Sequence, residues 1–293
     1  MMLDAAFFDR LSRLRLTMGH RTSMNLIGNR KSIQKGSSME FSDFREYMPG
    51  DDIRRIDWNA YGRLDRLYVK EYMEEKEAVV SILLDTSASM DYGVKKKSEL
   101  ACMLAAAFSY MGLNDMDRVM LYDMGRMDLP FVAAGGKRAL PRLADWLGQC
   151  SFDGTVDIEK AVKELPAKGP GVTILISDFL QETFLDEEQE TAEKLLRFLN
   201  YRKQRPVFLH VLAGEELSVE LTGTRNLIDM EDQSALRLTL DAGSIRTYER
   251  TLQEFLDRMR RECVKAGAFY AVCSTNTDIY QLIFQDLRML YDI

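Results

Sequence analysis

The chain has 293 residues, a formal net charge of −7, and 46% hydrophobic and 29% charged residues, which is the composition of a soluble globular protein. No stretch approaches the roughly 18–20 uninterrupted apolar residues of a membrane span, so we expect no membrane insertion. The acidic balance, and basic residues that are not interleaved with a platform of stacking aromatics, argue against nucleic-acid binding.

The first 76 residues differ in kind from the remainder. They open with MMLDAAFFDRLSRLRL, which predicts a short amphipathic helix and lacks the apolar core of a signal peptide. Residues 1–39 hold seven Lys and Arg against two Asp and Glu, a local charge of +5. This basic arm either is solvated against an acidic body or docks on an acidic partner. The four cysteines have no paired metal-type spacing, so we predict free thiols in a cytoplasmic protein.

From residue 77 onward, strand-like and helix-like patterns alternate. Apolar runs predict strands at 77–85, 118–124, 127–134, 171–179, 206–213 and 269–274. Helical spacing predicts helices at 96–112, 140–150, 157–165, 186–203, 244–267 and 277–293. Two alternating runs, LSVEL and LRLTL, predict a small β insertion around 215–245.

This alternation predicts an α/β fold with a doubly wound, mainly parallel sheet over residues 77–293. We expect residues 1–76 to form an N-terminal segment packed on that core. Its sequence is dense in turn signals, alternating charge and aromatic residues.

Two of the predicted buried strands end in aspartate, in ILLDTSASMDY and in TILISDF. Ligands of an open parallel sheet bind at the carboxyl edge of its strands, near the switch point of the strand order. Asp85, Ser87 and Ser89 alternate as D-x-S-x-S, so three oxygen groups can project from one side of a tight loop. Asp178 ends the later strand, and Thr155 precedes a helix in SFDGTVD. Such hard oxygen donors suit Mg²⁺, Mn²⁺ or Ca²⁺.

Each of these residues also has a structural interpretation. Thr155 can cap the helix that follows it, and an aspartate after a strand is often a turn residue. Zinc is disfavoured, because the two histidines, His20 and His210, have no cysteine nearby in the sequence. The combination of the three loops favours a metal site over three separate structural roles.

Together, LLDTSASM, DGT and ISD resemble the metal-ion-dependent adhesion site of von Willebrand factor type A domains. The resemblance implies a divalent cation, Mg²⁺ foremost, and the following ligands: Asp85, Ser87, Ser89, Thr155 and Asp178. In the threonine loop this chain has Asp153 where relatives often place a second glycine, and Asp157 is a competing ligand from the same loop.

A second resemblance runs from Gly36 to Trp58, G-S-x-x-E-F-x-D-x-R-E-Y-x-P-G-D-D-x-R-x-I-D-W. It is similar to the signature of bacterial proteins associated with MoxR-type AAA+ ATPases, a domain-of-unknown-function family without established catalytic activity. The charged residues of the signature either form a salt-bridged layer that holds Tyr47 and Trp58 against the core or form a docking surface. These charged residues are Arg45, Asp51, Asp52, Arg54, Arg55 and Asp57.

The two resemblances imply a cytoplasmic adaptor or regulator whose partners are a MoxR-type ATPase, its protein substrates, or both. A metal with an open coordination position can accept an Asp or Glu of the partner. The competing hypothesis is a Mg²⁺-dependent phosphohydrolase that uses Asp85 as nucleophile. That chemistry usually needs a second carboxylate two residues later, where this chain has Ser87. We recognise no catalytic constellation, and the chain has no G-x-x-x-x-G-K-[ST] phosphate-binding loop.

Overall fold

The computed structural model describes residues 5–16, 39–74, 78–166, 170–219, 223–228 and 235–292. The chain divides into two compact units, one formed by Met1–Arg21 with Ala78–Ile293 and the other by Thr22–Glu77. Helix α1 (Ala5–Leu11) and strand β1 (Arg15–Leu16) open the first unit. The start of the chain therefore belongs with the sheet, whereas the sequence pattern grouped it with the residues that follow.

The second unit is an antiparallel hairpin with a helical connection. Its elements are strand β2 (Met39–Glu46), a 3-10 turn (Ile53–Arg55), helix α2 (Trp58–Leu64) and strand β3 (Tyr68–Glu74). Asp52 caps the turn, and Asp57 caps α2 by accepting from the backbone N–H groups of Asn59 and Ala60. Side-chain caps of this kind satisfy N–H groups that have no partner inside the helix.

A six-stranded sheet forms the centre of the first unit. Its strands are β4 (Val79–Leu84), β5 (Arg118–Asp123), β6 (Arg126–Ala134), β7 (Gly171–Ser177), β8 (Gln204–Leu212) and β11 (Phe269–Ser274). They lie in the order β11-β8-β7-β4-β5-β6, and every pairing is parallel except β5 with β6. A separate hairpin joins β9 (Gly223–Ile228) to β10 (Ala235–Leu240).

Helices cover both faces of this sheet. They are α3 (Lys97–Asn114), α4 (Leu140–Gly148), α5 (Ile158–Glu164), α6 (Glu182–Leu185), α7 (Thr191–Tyr201), α8 (Gly214–Leu217), α9 (Ala242–Lys265) and α10 (Ile279–Gln281). Alternate residues of β4 enter different cores: Ile82 and Leu84 join the core with α1 and α3, and Leu83 joins the core with α5, α7 and α9. The predicted doubly wound, mainly parallel α/β fold is confirmed.

Two predicted helices are interrupted. In place of one helix over 186–203, a 3-10 turn (Glu187–Gln189) precedes α7, because Glu190 takes a left-handed conformation with φ 49°. The helix predicted at 277–293 is replaced by α10, a π turn (Leu282–Asp286), a 3-10 turn (Arg288–Leu290) and strand β12 (Tyr291–Asp292). The final residues become a strand because they pair with β1 at the other end of the chain.

The small β insertion is present, but its first strand was assigned wrongly. LRLTL lies in β10 as predicted. Of LSVEL, Leu217 ends helix α8, Ser218 and Val219 are not in a strand, and the last two residues lie outside the described part of the chain. The partner of β10 is β9, whose sequence, GTRNLI, has a weaker alternation.

The order of the sheet fixes where the site lies. Chain order proceeds from β4 through β5 to β6 on one side and from β7 through β8 to β11 on the other. The strand order therefore reverses between β4 and β7, which is the switch point where an open α/β sheet binds ligands. Asp85 directly follows β4, and Asp178 directly follows β7.

Candidate metal centre

Asp85 and Asp178 lie at the carboxyl ends of two hydrogen-bonded neighbours, β4 and β7. The two strands pair in register as far as Leu84 and Ile176, and the backbone N–H of Asp85 donates to the carbonyl of Ile176 at 3.0 Å. Asp85 is 1% exposed and Asp178 is 2% exposed. The register of the sheet thus brings together two buried carboxylates that are far apart in sequence.

The Asp85 carboxylate has neutral hydrogen-bond donors on both oxygens. Its Oδ2 accepts from the Ser177 hydroxyl at 2.5 Å, and its Oδ1 accepts from the backbone N–H of Ser87 at 2.9 Å. Burial, followed by the negative charge of Asp178, raises the pKa of Asp85 to about 6. Among the described residues, no Lys or Arg side chain forms an ion pair with Asp85, so a divalent cation would stabilise its ionised form.

The two predicted serine ligands lie in contact with each other beside Asp85. Ser87 is buried, Ser89 is half-buried, and their Oγ atoms are 3.0 Å apart. The Ser89 side chain also lies close enough to Asp178 to favour its ionised form. Three of the five predicted ligands therefore share one hydrogen-bonded network, and Asp178 lies beside it.

The fifth predicted ligand, Thr155, lies on a loop that touches this network. Ser87 forms a parallel bridge with Gly154, and the N–H of Ala88 donates to the Gly154 carbonyl at 2.8 Å. The Thr155 side chain is exposed. The helix cap in this loop is Asp157, which accepts from the Lys160 N–H at 2.9 Å. Asp157 thus fills the structural role that the sequence pattern left open for Thr155.

A buried lysine that the sequence analysis did not identify lies beside Asp178. The Lys97 ammonium is 2.7 Å from Asp178 Oδ2 and 2.7 Å from Glu216 Oε1. Burial alone would raise the pKa of Asp178, but the Lys97 charge and hydrogen bond hold that pKa below its usual value. Burial would lower the pKa of Lys97, but Asp178 and Glu216 raise it. The lysine and Asp178 are therefore an ionised pair.

The cluster of Lys97, Asp178 and Glu216 could not be found from local sequence patterns, because Lys97 lies 81 residues from Asp178 and 119 residues from Glu216. One local signal was available. Lys97 begins helix α3, and a cation at a helix N-terminus is unfavourable unless another group offsets the helix dipole.

A third strand end also carries a buried carboxylate, which the sequence analysis did not single out. Asp123, 5% exposed, closes β5 and accepts from the Thr86 hydroxyl at 2.5 Å and the Gly125 N–H at 2.8 Å. These contacts tie the loop after β4 to the loop after β5. Asp123 therefore helps to hold the segment that carries Ser87 and Ser89.

The donor set fits a hard divalent cation. Within the described residues, no three acidic, histidine or cysteine side chains form a metal-binding group, so hydroxyl oxygens would have to complete any coordination. The carboxylates of Asp85, Asp178 and Glu216 with the Lys97 ammonium leave a formal charge of −2. A divalent cation would neutralise that charge with the oxygen ligands that Mg²⁺ prefers.

The second unit shows where the charged signature residues lie. Arg45 donates two hydrogen bonds to Asp51, each 3.0 Å long, while Asp52 and Asp57 serve as helix caps. Trp58 is 63% exposed and its ring contacts Tyr61. The predicted packing of this segment against the core stays a prediction.

Comparison with known protein families identifies the family of this chain. Residues 43–255 match the family described as "Protein of unknown function DUF58". The chain belongs to the DUF58 family. The match begins within strand β2 and ends within helix α9. It therefore covers the N-terminal signature from residue 43 onward and the strand ends of the candidate metal centre.

Three relatives are uncharacterized proteins, one of Mycobacterium bovis and two of Mycobacterium tuberculosis strains. Each is 28% identical over 185 residues, which is 60% of this chain and 58% of the relative. The DUF58 chain thus spans somewhat more than half the length of these relatives.

Two solved structures are also similar. One is a conserved hypothetical protein BatB from Bacteroides thetaiotaomicron (17% identity, TM-score 0.40), and the other is an aerotolerance-related membrane protein from Bacteroides fragilis (13% identity, TM-score 0.42). Each comparison covers 73% of this chain and 98% of the other. Across the described residues of the DUF58 chain, none of the helices has the length and apolar character needed to cross a membrane.

Proposed function

We propose that this DUF58 protein is a metal-dependent protein-interaction module that acts as adaptor or regulator of a MoxR-type AAA+ ATPase. The observation that carries the proposal is the convergence of Asp85, Ser87, Ser89 and Asp178 at the switch point. Membership of the DUF58 family supports it, as does the resemblance of the three site loops to the adhesion site of von Willebrand factor type A domains.

The residues of the site would bind Mg²⁺ in different ways; Mn²⁺ and Ca²⁺ are the other candidate ions. Asp85, Ser87 and Ser89 would supply direct oxygen ligands, and the Thr155 hydroxyl would complete the set from the adjoining loop. Asp178 is already paired with the charged Lys97 ammonium, whereas Asp85 accepts only from neutral donors, so Asp178 would act through water. The bound cation would supply an open coordination position for a carboxylate of the partner.

The partner is inferred from chemistry and from the N-terminal signature. A carboxylate is the group that an electrophilic divalent cation accepts best, so the docking segment carries Asp or Glu. The Gly36–Trp58 signature resembles proteins associated with MoxR-type ATPases, and the partner is that ATPase, its protein substrates, or both.

A pull-down of a MoxR-type ATPase tests this function. Binding should require a divalent cation, fall in EDTA, and weaken in Thr155→Ala but not in the matched loop control Asp153→Asn, since Asp153 is exposed and contacts Ser151. It should survive about 0.5 M NaCl better than EDTA, because a partly desolvated coordinate bond is screened less than surface ion pairs. Binding that survives EDTA but is lost in salt would identify the basic N-terminal arm as the docking element and overturn the proposal.

The alternative function is a Mg²⁺-dependent phosphohydrolase with Asp85 as nucleophile, and one observation favours it. Lys97 supplies a cation near the strand ends, where phosphoryl transfer needs positive charge. However, its side chain is 1% exposed and is already bound to two carboxylates. A screen of phosphate esters with Mg²⁺ separates the two functions, since turnover abolished by Asp85→Asn would favour the enzyme.

A further inference from the structure

Lys97, Asp178 and Glu216 form a cluster that we call the buried triad. Lys97 begins helix α3, and Glu216 lies in helix α8, beyond strand β8. The side chains are 1%, 3% and 14% exposed, respectively. A lysine this deep in a protein is rare unless its charge is paired. Neither Lys97 nor Glu216 belongs to the metal-ligand motif, so the triad needs its own explanation.

The structure builds a complete receptor for the Lys97 ammonium. Two carboxylate oxygens accept from it at 2.7 Å each, and the Tyr92 ring lies 5.9 Å from the nitrogen. Each carboxylate is fixed by a backbone N–H on its other oxygen: Leu180 donates to Asp178 at 3.2 Å, and Ala213 donates to Glu216 at 2.7 Å. The ammonium is therefore held in one place by groups that are themselves held.

The Glu216 segment is anchored from a second side. The Tyr248 hydroxyl of α9 donates to the Glu216 carbonyl at 3.1 Å, and the neighbouring Glu215 accepts from the Val94 N–H at 3.2 Å. Val94 lies in the loop between Ser89 and Lys97. The triad thus joins α8 to the segment that follows the predicted ligands.

We propose that Lys97 is a built-in counter-ion of the candidate metal centre, which keeps Asp178 in place without a divalent cation and limits the affinity for that cation. This inference rests on the metal site of the proposed function. Lys97 acts through Asp178 and is a positioning residue. Because the local formal charge is −2, removing the ammonium makes it −3, and removing the Glu216 charge makes it −1. The attraction for a divalent cation follows that charge.

Calorimetric titration of the full chain with Mg²⁺ tests the inference through two variants of opposite expected sign. Lys97→Met keeps most of the side-chain stem but removes the charge, and should bind Mg²⁺ about tenfold more tightly. Glu216→Gln should bind about tenfold more weakly. Glu215→Gln is the matched control, since Glu215 is exposed and outside the triad and the Gln side-chain oxygen can still accept from the Val94 N–H. Its affinity should equal that of the wild type. Damage to the fold would weaken binding in both variants, so opposite signs identify an electrostatic role.

Thermal melting in EDTA supplies a second measurement. Lys97→Met should melt at a lower temperature than the wild type, and saturating Mg²⁺ should restore much of the difference. If Lys97→Met does not fold, the Mg²⁺ affinity of Glu216→Gln becomes the test. An affinity of this variant that equals or exceeds that of the wild type overturns the inference.

The outcomes also separate this inference from the proposed function. If the wild type binds Mg²⁺ and a folded Lys97→Met chain binds it equally or more weakly, the inference is overturned but the proposed function is not. Binding by Lys97→Met where the wild type binds too weakly to detect supports the inference and counts against metal-dependent function in the natural chain. If neither the wild type nor Lys97→Met binds Mg²⁺, the inference and the proposed function are both overturned.

Discussion

The two units use acidic side chains in opposite ways. At the strand ends of the first unit, Asp85 and Asp178 are almost wholly buried, and their partners come from distant parts of the chain. In the second unit, Asp51 and Asp57 bind neighbours within six residues, while Trp58 is largely exposed. Local acids complete turns and caps, even where they are buried, as Asp57 is. The acids at the strand ends instead concentrate charge at one point of the fold. That concentration makes the strand ends the candidate functional site.

The largest expected effect contrasts a buried ion pair with an exposed one. Asp178→Ala leaves the Lys97 ammonium with Glu216 alone and should lower the free energy of unfolding by about 3–5 kcal/mol, as for other broken buried pairs. Arg45→Ala removes the pair with Asp51 in the second unit, where both side chains meet water, and should leave the unfolding midpoint nearly unchanged. Urea unfolding followed by circular dichroism measures both. Equal losses would show that burial is not the difference between the two regions.

A substitution of intermediate effect, at Asp85, is expected to raise the free energy of unfolding, whereas Asp178→Ala lowers it. Its pKa of about 6 in the fold exceeds the ordinary value of 3.8, so the folded chain favours the protonated carboxyl. Without metal, the contribution of Asp85 to stability is greatest below about pH 4 and is lost as the pH rises through about 6. Asp85→Asn should remove this pH dependence and raise stability at neutral pH by about 2–3 kcal/mol, while abolishing Mg²⁺ binding.

Unfolding in EDTA at several pH values, paired with Mg²⁺ titration, checks this prediction. The exposed helix cap Asp278, which accepts from the Tyr280 N–H of α10, provides the control, since Asp278→Asn should keep the pH dependence and the metal affinity of the wild type. A destabilised Asp85→Asn chain would mean that the carboxylate serves the fold and not a ligand.

The smallest expected effect lies in the second unit. Trp58→Ser should change the free energy of unfolding by no more than about 0.5 kcal/mol, because the side chain is mostly in water. The chain has two tryptophans, so Trp146→Phe leaves Trp58 as the sole reporter of acrylamide quenching. Strong quenching is expected. A protected Trp58 would instead favour the predicted packing of the N-terminal segment on the core.

The sequence by itself determined the sheet and most of the candidate ligands. Buried parallel strands are apolar on both faces, so 77–85 and 171–179 could be recognised without their neighbours, and both end in aspartate. D-x-S-x-S placed Ser87 and Ser89 on one loop, because alternation in a tight turn is a local property. The placement of Asp85 and Asp178 at the carboxyl edge of the sheet also followed from the sequence, whereas the pairing of their two strands came from the structure.

Only the tertiary structure decided the features that depend on distant partners. The chain end became β12 because β1 was there to pair with it, and its helical periodicity gave no sign of that partner. Glu190 broke the helix predicted at 186–203 by adopting a left-handed conformation that its residue type does not favour. Lys97 became the counter-ion of Asp178 and Glu216 only when β7 and α8 were folded around α3. Local patterns are set by neighbours along the chain, whereas a buried charge is stabilised by whichever groups the fold brings to it.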